Sequence, residues 1–175
     1  MKKRNLFFIL LLVAFVFSSC EVKHDFTFTF ETGESTAAAV DLSFSEVLDA
    51  TSVSSEFSKY KNDIDKIEIS RIRYLITDFT GIATEKINTI QIKVGDVNDN
   101  QSVDLASAND IVLANVKGTD QDMQMNSAGQ SRMSDLIKNS PNKAKIYFSA
   151  AADGLVIYKV KLKIDLKVTY KKSFF

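Results

Sequence analysis

The sequence predicts an antiparallel β-sandwich, and three observations carry that expectation. From Val156 to Tyr170 every second residue is apolar, while Lys159, Lys161, Lys163, Asp165, Lys167, Thr169 and Lys171 fill the other positions. That is the pattern of a strand with one dry face and one wet face. Shorter segments with the same period of two recur between turn-forming residues, and only two short stretches carry apolar residues at helical spacing. About seven or eight strands with so little helix favour two packed sheets; an up-and-down barrel is the alternative closure.

The first strand signal is Phe26, Phe28 and Phe30 alternating with threonines, and the second is Val40, Leu42 and Phe44 alternating with Asp41 and Ser43. Between Thr51 and Asn62 the spacing changes. Val53, Phe57 and Tyr60 recur at helical intervals, with Ser52 or Ser54 placed to cap a short helix. Strand character resumes from Ile64 to Phe79, where Ile67 and Ile69 share one phase and Ile72, Tyr74 and Ile76 the other, so a β-bulge is expected at Ser70-Arg71. Ile87 to Val94 alternates again, and Gly95 to Ser102 reads as a polar turn. Val103 to Leu105 and Ile111 to Val116 are two shorter apolar runs, followed by a polar connection from Gly118 to Gln130. Met133, Leu136 and Ile137 mark one face of a second helix, which ends before Asn139-Ser140-Pro141-Asn142. Ile146 to Ala150 precedes the long final strand.

Composition narrows the function classes. The 175-residue chain balances 22 Lys+Arg against 22 Asp+Glu, is 45% hydrophobic, and has one His, one Cys and no Trp. Such a chain is globular rather than disordered. It lacks the net positive charge of a nucleic-acid binder, and one cysteine makes no disulfide scaffold.

The amino-terminal residues carry an address. Lys2, Lys3 and Arg4 form a cationic patch, Leu6 to Phe17 an uncharged apolar run, and Ser18-Ser19 the small residues of a cleavage point. As a helix that run would span about 18 Å, short of the ~30 Å hydrocarbon core, so it reads as an export signal rather than a permanent span. Cys20, the single cysteine, follows directly.

Phe17-Ser18-Ser19-Cys20 resembles the lipobox of bacterial lipoproteins, with Phe17 where that family most often has Leu; the resemblance covers about the first twenty residues. It implies that the signal, residues 1–19, is cut before the cysteine and that the Cys20 thiol carries a diacylglycerol. The new amino terminus would usually be acylated too. In that family an Asp after the cysteine favours retention at the inner membrane; Glu21 stands there, which implies delivery to the outer membrane, facing either the periplasm or the cell surface. Removing Lys2, Lys3 and Arg4 without any acid would leave 19 basic residues against 22 acidic, a net charge of −3. Residues 20–25 are then expected to be the lipidated cysteine and a short polar tether, and residues 26–175 one sandwich domain.

Few residues offer chemistry. His24 is the single histidine and falls in the expected tether, so histidine and Cys–His catalysis lack partners. Ser58-Lys59-Tyr60-Lys61, Ser107-Ala108-Asn109 and Lys117-Gly118-Thr119 loosely follow the order of the penicillin-interacting serine enzymes, but the chain is too short for that fold and its third motif is scrambled. Asp96, Asn98 and Asn100 place oxygen ligands at alternate positions, with Asp104 beyond, like the start of a calcium loop. Gln101 stands where such a loop needs glycine and Ser107 where it needs glutamate, so a solvated turn is expected and no metal or cofactor is assigned. Lys159, Lys161 and Lys163, extended by Lys167 and Lys171, would form a positive ridge able to meet an anionic lipid, an acidic glycan or an acidic envelope protein, or simply a solvated face guarding a sheet edge.

These readings converge on a non-enzymatic lipoprotein, a structural or binding module held at the outer membrane through Cys20, with no nucleic-acid partner. The alternative is a carrier of a lipid or other apolar ligand, which needs a cavity beyond ~300 Å³ lined by residues such as Phe44, Ile92 and Leu162.

Overall fold

The computed structural model describes residues 20–31, 41–98, 101–154 and 156–172. Residues 1–19, read as an export signal, Val40 of the second strand signal, and Asn100 of the calcium-like turn lie outside the described residues. Among the described residues nine strands form two antiparallel sheets: β1 (Cys20–Glu31), β2 (Asp41–Asp49), β3 (Ile64–Thr80), β4 (Lys86–Gly95), β5 (Ser102–Val112), β6 (Gln121–Asp122), β7 (Gln124–Met125), β8 (Lys143–Ala152) and β9 (Ile157–Lys172). One sheet has the order β1-β9-β3-β6 and the other β2-β8-β4-β5-β7. Among the described residues no strand ladder joins the two sheets, so the architecture is the sandwich and not the barrel.

The alternation in β9 decides the layering. Val156, Tyr158, Val160, Leu162, Ile164, Leu166, Val168 and Tyr170 are each 2% exposed or less and face the second sheet's Ile90, Ile92, Val94, Ile146 and Phe148. β3 keeps the same dry face in spite of its change of phase, because the ladder to β9 shifts register between Ile69 and Arg71. One extra residue, Ser70, returns Ile72, Tyr74 and Ile76 to the side of Ile67 and Ile69, as the bulge expectation requires.

The amino-terminal strand differs from expectation. Residues 21–25, read as a tether, are strand: β1 pairs with β9 without interruption from Cys20↔Lys172 to Glu31↔Lys161. The physical reason lies in Val22 and His24, which continue the phase of Phe26, Phe28 and Phe30 towards the core side and are half-buried. The two apolar runs after Gly95 are likewise one strand, β5, followed by the single-turn helix α3 (Leu113–Val116). The expected polar connection holds β6, β7 and the start of a helix, pinned by buried Met123, whose N–H donates to the Ile72 carbonyl at 2.9 Å.

Helices close the sides. The first helical stretch is broken in two: α1 (Ala50–Val53), capped by the Asp49 carboxylate on the Thr51 N–H, and α2 (Ser55–Tyr60), capped by the Ser54 hydroxyl on the Phe57 N–H. Extended Ser54 separates them, which leaves Val53 exposed while Phe57 is buried. Asp49 also pairs with Lys143 at 2.9 Å. That ion pair, together with the Thr51 bonds, lowers its carboxyl from the ordinary value to about 2.

The longer helix α4 (Ser127–Lys138) lies across the open flank between β3 and β5, burying Gly129, Met133 and Ile137. Asn126 caps its start, and buried Asn142 donates to the carbonyls of Ile137 and Lys138 at its end. Gly129 allows the approach to β5, since a Cβ there would sit 2.2 Å from the Asp104 carbonyl oxygen and 2.6 Å from the Leu105 Cα.

Gly129→Ala must lift α4 off β5, a loss of about 1–3 kcal/mol, measured as a lower midpoint in urea; an unchanged midpoint would contradict the close approach. The Asp49 carboxyl is lower in the folded than in the unfolded chain, so its contribution is complete above the unfolded value and fades as pH falls from roughly 4 to 2. In an acid titration of stability, Asp49→Asn should flatten that limb while leaving other segments of the curve in place.

Candidate functional site

The outer face of the β1-β9-β3-β6 sheet gathers the charged side chains that the sequence singled out. Because β9 lies between β1 and β3, its outward residues from Lys161 to Thr169 have a neighbour on either side: Asp165 lies opposite Thr27 of β1 and Arg71 of β3, and Lys167 opposite Asp25 and Glu68. Cross-strand neighbours of opposite sign attract at this spacing.

The densest part surrounds Arg73. Its Nη1 donates to Asp120 at 2.8 Å, and its Nη2 donates to both carboxylate oxygens of Asp165 at 3.0 and 2.7 Å. Lys163 Nζ donates to both oxygens of Asp120 at 2.8 Å, and the Thr27 hydroxyl donates to Asp165 at 2.7 Å. The Arg73 side chain is only 17% exposed, and its Nε is buried without a partner. Arg71 grips Asp122 next to it through Nε and through Nη2 at 2.9 Å. The ammonium of Lys163 holds the Asp120 carboxyl below its usual value, with Arg73 assisting, and Arg71 does the same for Asp122.

The expected lysine ridge is therefore interleaved with acids. Lys161 pairs with Glu31, Lys163 with Asp120, and Lys171 with Asp65 at 2.5 Å. Asp78 is held below the ordinary carboxylate range by Lys117 and, more weakly, by Lys159. The edge-guarding role does not apply to Lys161, Lys163 and Lys167, which have a paired strand on both sides. The acids come from β1, β3 and the residues around β6, far apart in sequence, which is why a one-strand reading could not pair them.

The calcium-like turn is organised from within. Asp96 Oδ1 accepts the Asn98 N–H at 2.9 Å, and Asp104 is turned to Gln91 at 3.0 Å and Lys93 at 3.7 Å. Asp120 and Asp122 belong to the other sheet's ion pairs. Among the described residues no three His, Cys, Asp or Glu side chains converge as a metal site. Ser58 sits on α2 beside the start of β3, whereas Lys117 bridges to Ile76 near the far end of that strand, so the penicillin-enzyme motifs are spread along the sandwich. Of the residues expected to line a carrier cavity, Ile92 and Leu162 are wholly enclosed by the core, and Phe44 stacks on Phe148 at 4.9 Å.

A second cluster, not foreseen from sequence, lies where β1 begins. His24 Nδ1 is 3.1 Å from Glu56 of α2, and the His24 ring packs edge-on to Tyr170 at 5.7 Å and against Phe26 at 6.3 Å. Tyr60 packs on the same Tyr170 ring at 5.8 Å. His24, Glu56, Tyr60 and Tyr170, with Val22, Asp63 and Lys171, line a small pocket of about 40 Å³, large enough for water. The buried Tyr170 hydroxyl has no partner, and its pKa is pushed up to about 12 by burial and by Glu56. The available signal was the spacing Val22-x-His24-x-Phe26, which places His24 on the strand's inner phase.

No family model and no curated protein matches the chain. Among solved structures it is similar to a chain of Desmodium yellow mottle tymovirus, 10% identical over 90% of this chain and 86% of that one, with a TM-score of 0.35. A chain of turnip yellow mosaic virus is 9% identical over 90% and 98%, with a TM-score of 0.34. A chain of infectious bursal disease virus, Gx strain, is 12% identical over 89% and 38%, with a TM-score of 0.32. Likenesses this weak bear on neither ancestry nor function.

The ion-pair network makes a quantitative prediction. Asp165→Ala leaves the half-buried Arg73 with one carboxylate instead of two, which should cost about 1–3 kcal/mol in urea unfolding. Lys66→Gln, which breaks an exposed pair with Glu68, should cost less than about 1 kcal/mol. Equal effects would show that Arg73 is not held by the network.

Proposed function

We propose that this protein is a lipid-anchored, non-enzymatic module of the bacterial cell envelope, attached through Cys20 to the outer membrane, with its β-sandwich serving a structural or binding role. The observation that carries the reading is the placement of the single cysteine directly after Ser18-Ser19, behind a cationic patch and an uncharged apolar run. Two or three acyl chains give durable attachment where one gives marginal binding, because each buried CH₂ adds about 0.8 kcal/mol. Among the described residues no helix is long and apolar enough to cross a membrane, so attachment would rest on the lipid. Confinement to a surface raises the domain's effective concentration towards other membrane-bound components, and weak contacts then suffice.

The partner would be an envelope protein or an anionic glycan or lipid, and the interleaved charges of the outer face favour a partner that itself presents both signs. A carrier of an apolar ligand would have to open the space between the sheets, where Ile92 and Leu162 are fully packed. The anchor is tested by growing cells on a labelled fatty acid. The wild-type chain should take up label and Cys20→Ala should not; label retained in the variant would refute the attachment.

A further inference from the structure

We propose that the end of the sandwich formed by α2, the 3₁₀ turn Lys61–Asp63 and the first and last residues of β1 and β9 is a lipid-contacting surface, so that the domain stands end-on against the bilayer. The inference rests on the reading of Cys20 as the acylated residue and adds a fixed geometry to it. The deciding observation is the register: Cys20 is itself the first residue of β1 and is paired with Lys172 of β9. A flexible linker of n residues would let the domain wander by about 5–6 Å × √n. Here n is zero, and whatever holds Cys20 holds the sheet.

Distances along the strands then fix what meets the membrane. Strands rise about 3.3 Å per residue, so Val22 and its partner Tyr170 lie about 7 Å from the anchored position, comparable with the roughly 5–7 Å headgroup layer of one leaflet. Tyr60 packs on the Tyr170 ring, which brings α2 and the following turn to the same level. Lys59 and Lys61 are exposed there, and Lys59 Nζ lies 4.9 Å above the Tyr60 ring. Val53, 53% exposed, belongs to the adjoining helix. A half-buried tyrosine flanked by lysines suits a layer that is apolar beneath and lined with phosphates. Glu21 and Asp63 share this end, so the anchor supplies the reach and the lysines add to the contact. At the other end, β3 and β9 finish at Thr80 and Ile157, and the turn to β4 carries Ile82, 68% exposed. Thirteen residue-to-residue steps along β9 separate that pairing from Tyr170, about 43 Å, which places this turn farthest from the lipid.

The test uses the full chain, extracted from membranes with its native modification and reconstituted in vesicles of phosphatidylethanolamine and phosphatidylglycerol containing a nitroxide headgroup lipid. A fluorophore is attached at Lys61→Cys or at Thr84→Cys, both exposed positions, and the mass of the Cys20 peptide is measured on the same sample. The expected result is a lipid-modified Cys20 with quenching roughly threefold or more stronger at position 61 than at 84, given the ~43 Å between the two ends. Equal quenching with Cys20 modified would overturn the end-on contact and leave the anchor standing. An unmodified Cys20 would overturn both.

Discussion

The pairing of β9 with a strand on each side governs the structure. Its seven inward residues are almost completely buried, and each large apolar side chain so placed contributes about 1.5–3 kcal/mol towards folding before conformational entropy is counted. A strand with one face that dry must lie against a second sheet. Its backbone is satisfied only when β1 and β3 cover both edges, and that requirement settles the fate of its lysines. A central strand has no free flank, so the positive residues of its outer face stand among the acids of its neighbours.

The same constraint reaches the beginning of the domain. β9 is long enough to pair with β1 as far as Cys20↔Lys172, and Val22 and His24 supply side chains for the inner face there. A segment that would otherwise be polar and free is held by a ladder, by ring contacts to Tyr170, and by the His24–Glu56 pair that ties it to α2. The consequence for function is mechanical. If Cys20 bears lipid, no unpaired peptide lies between the anchor and the sheet.

What the sequence made legible was local and periodic. The alternation of β9, the bulge at Ser70 and the helical face of Met133 and Ile137 were all readable, because a strand or helix writes its own burial into consecutive residues. Three features were not. The strand character of residues 21–25 was masked by charged residues at every second position, Glu21, Lys23 and Asp25, which are outward-facing and uninformative about pairing. The split of the first helix depended on the extended backbone of Ser54. The pairing of the β9 lysines depended on Asp120, Asp65 and Glu31, whose positions against Lys163, Lys171 and Lys161 follow from topology rather than from spacing. The proposed lipidation of Cys20 is of another kind, since it rests on the segment before that residue and the fold only says what would be attached.

The unbroken ladder between β1 and β9 is the claim on which both the fold and the membrane geometry turn, and amide hydrogen exchange across the amino-terminal residues of the mature protein tests it most directly. Paired amides in Glu21–Asp25 should exchange about as slowly as those in Thr27–Thr29, as expected for one cooperative strand. Exchange at the rate of an unstructured peptide up to Asp25, with protection beginning only at Phe26, would contradict it and restore a tether between Cys20 and the sheet.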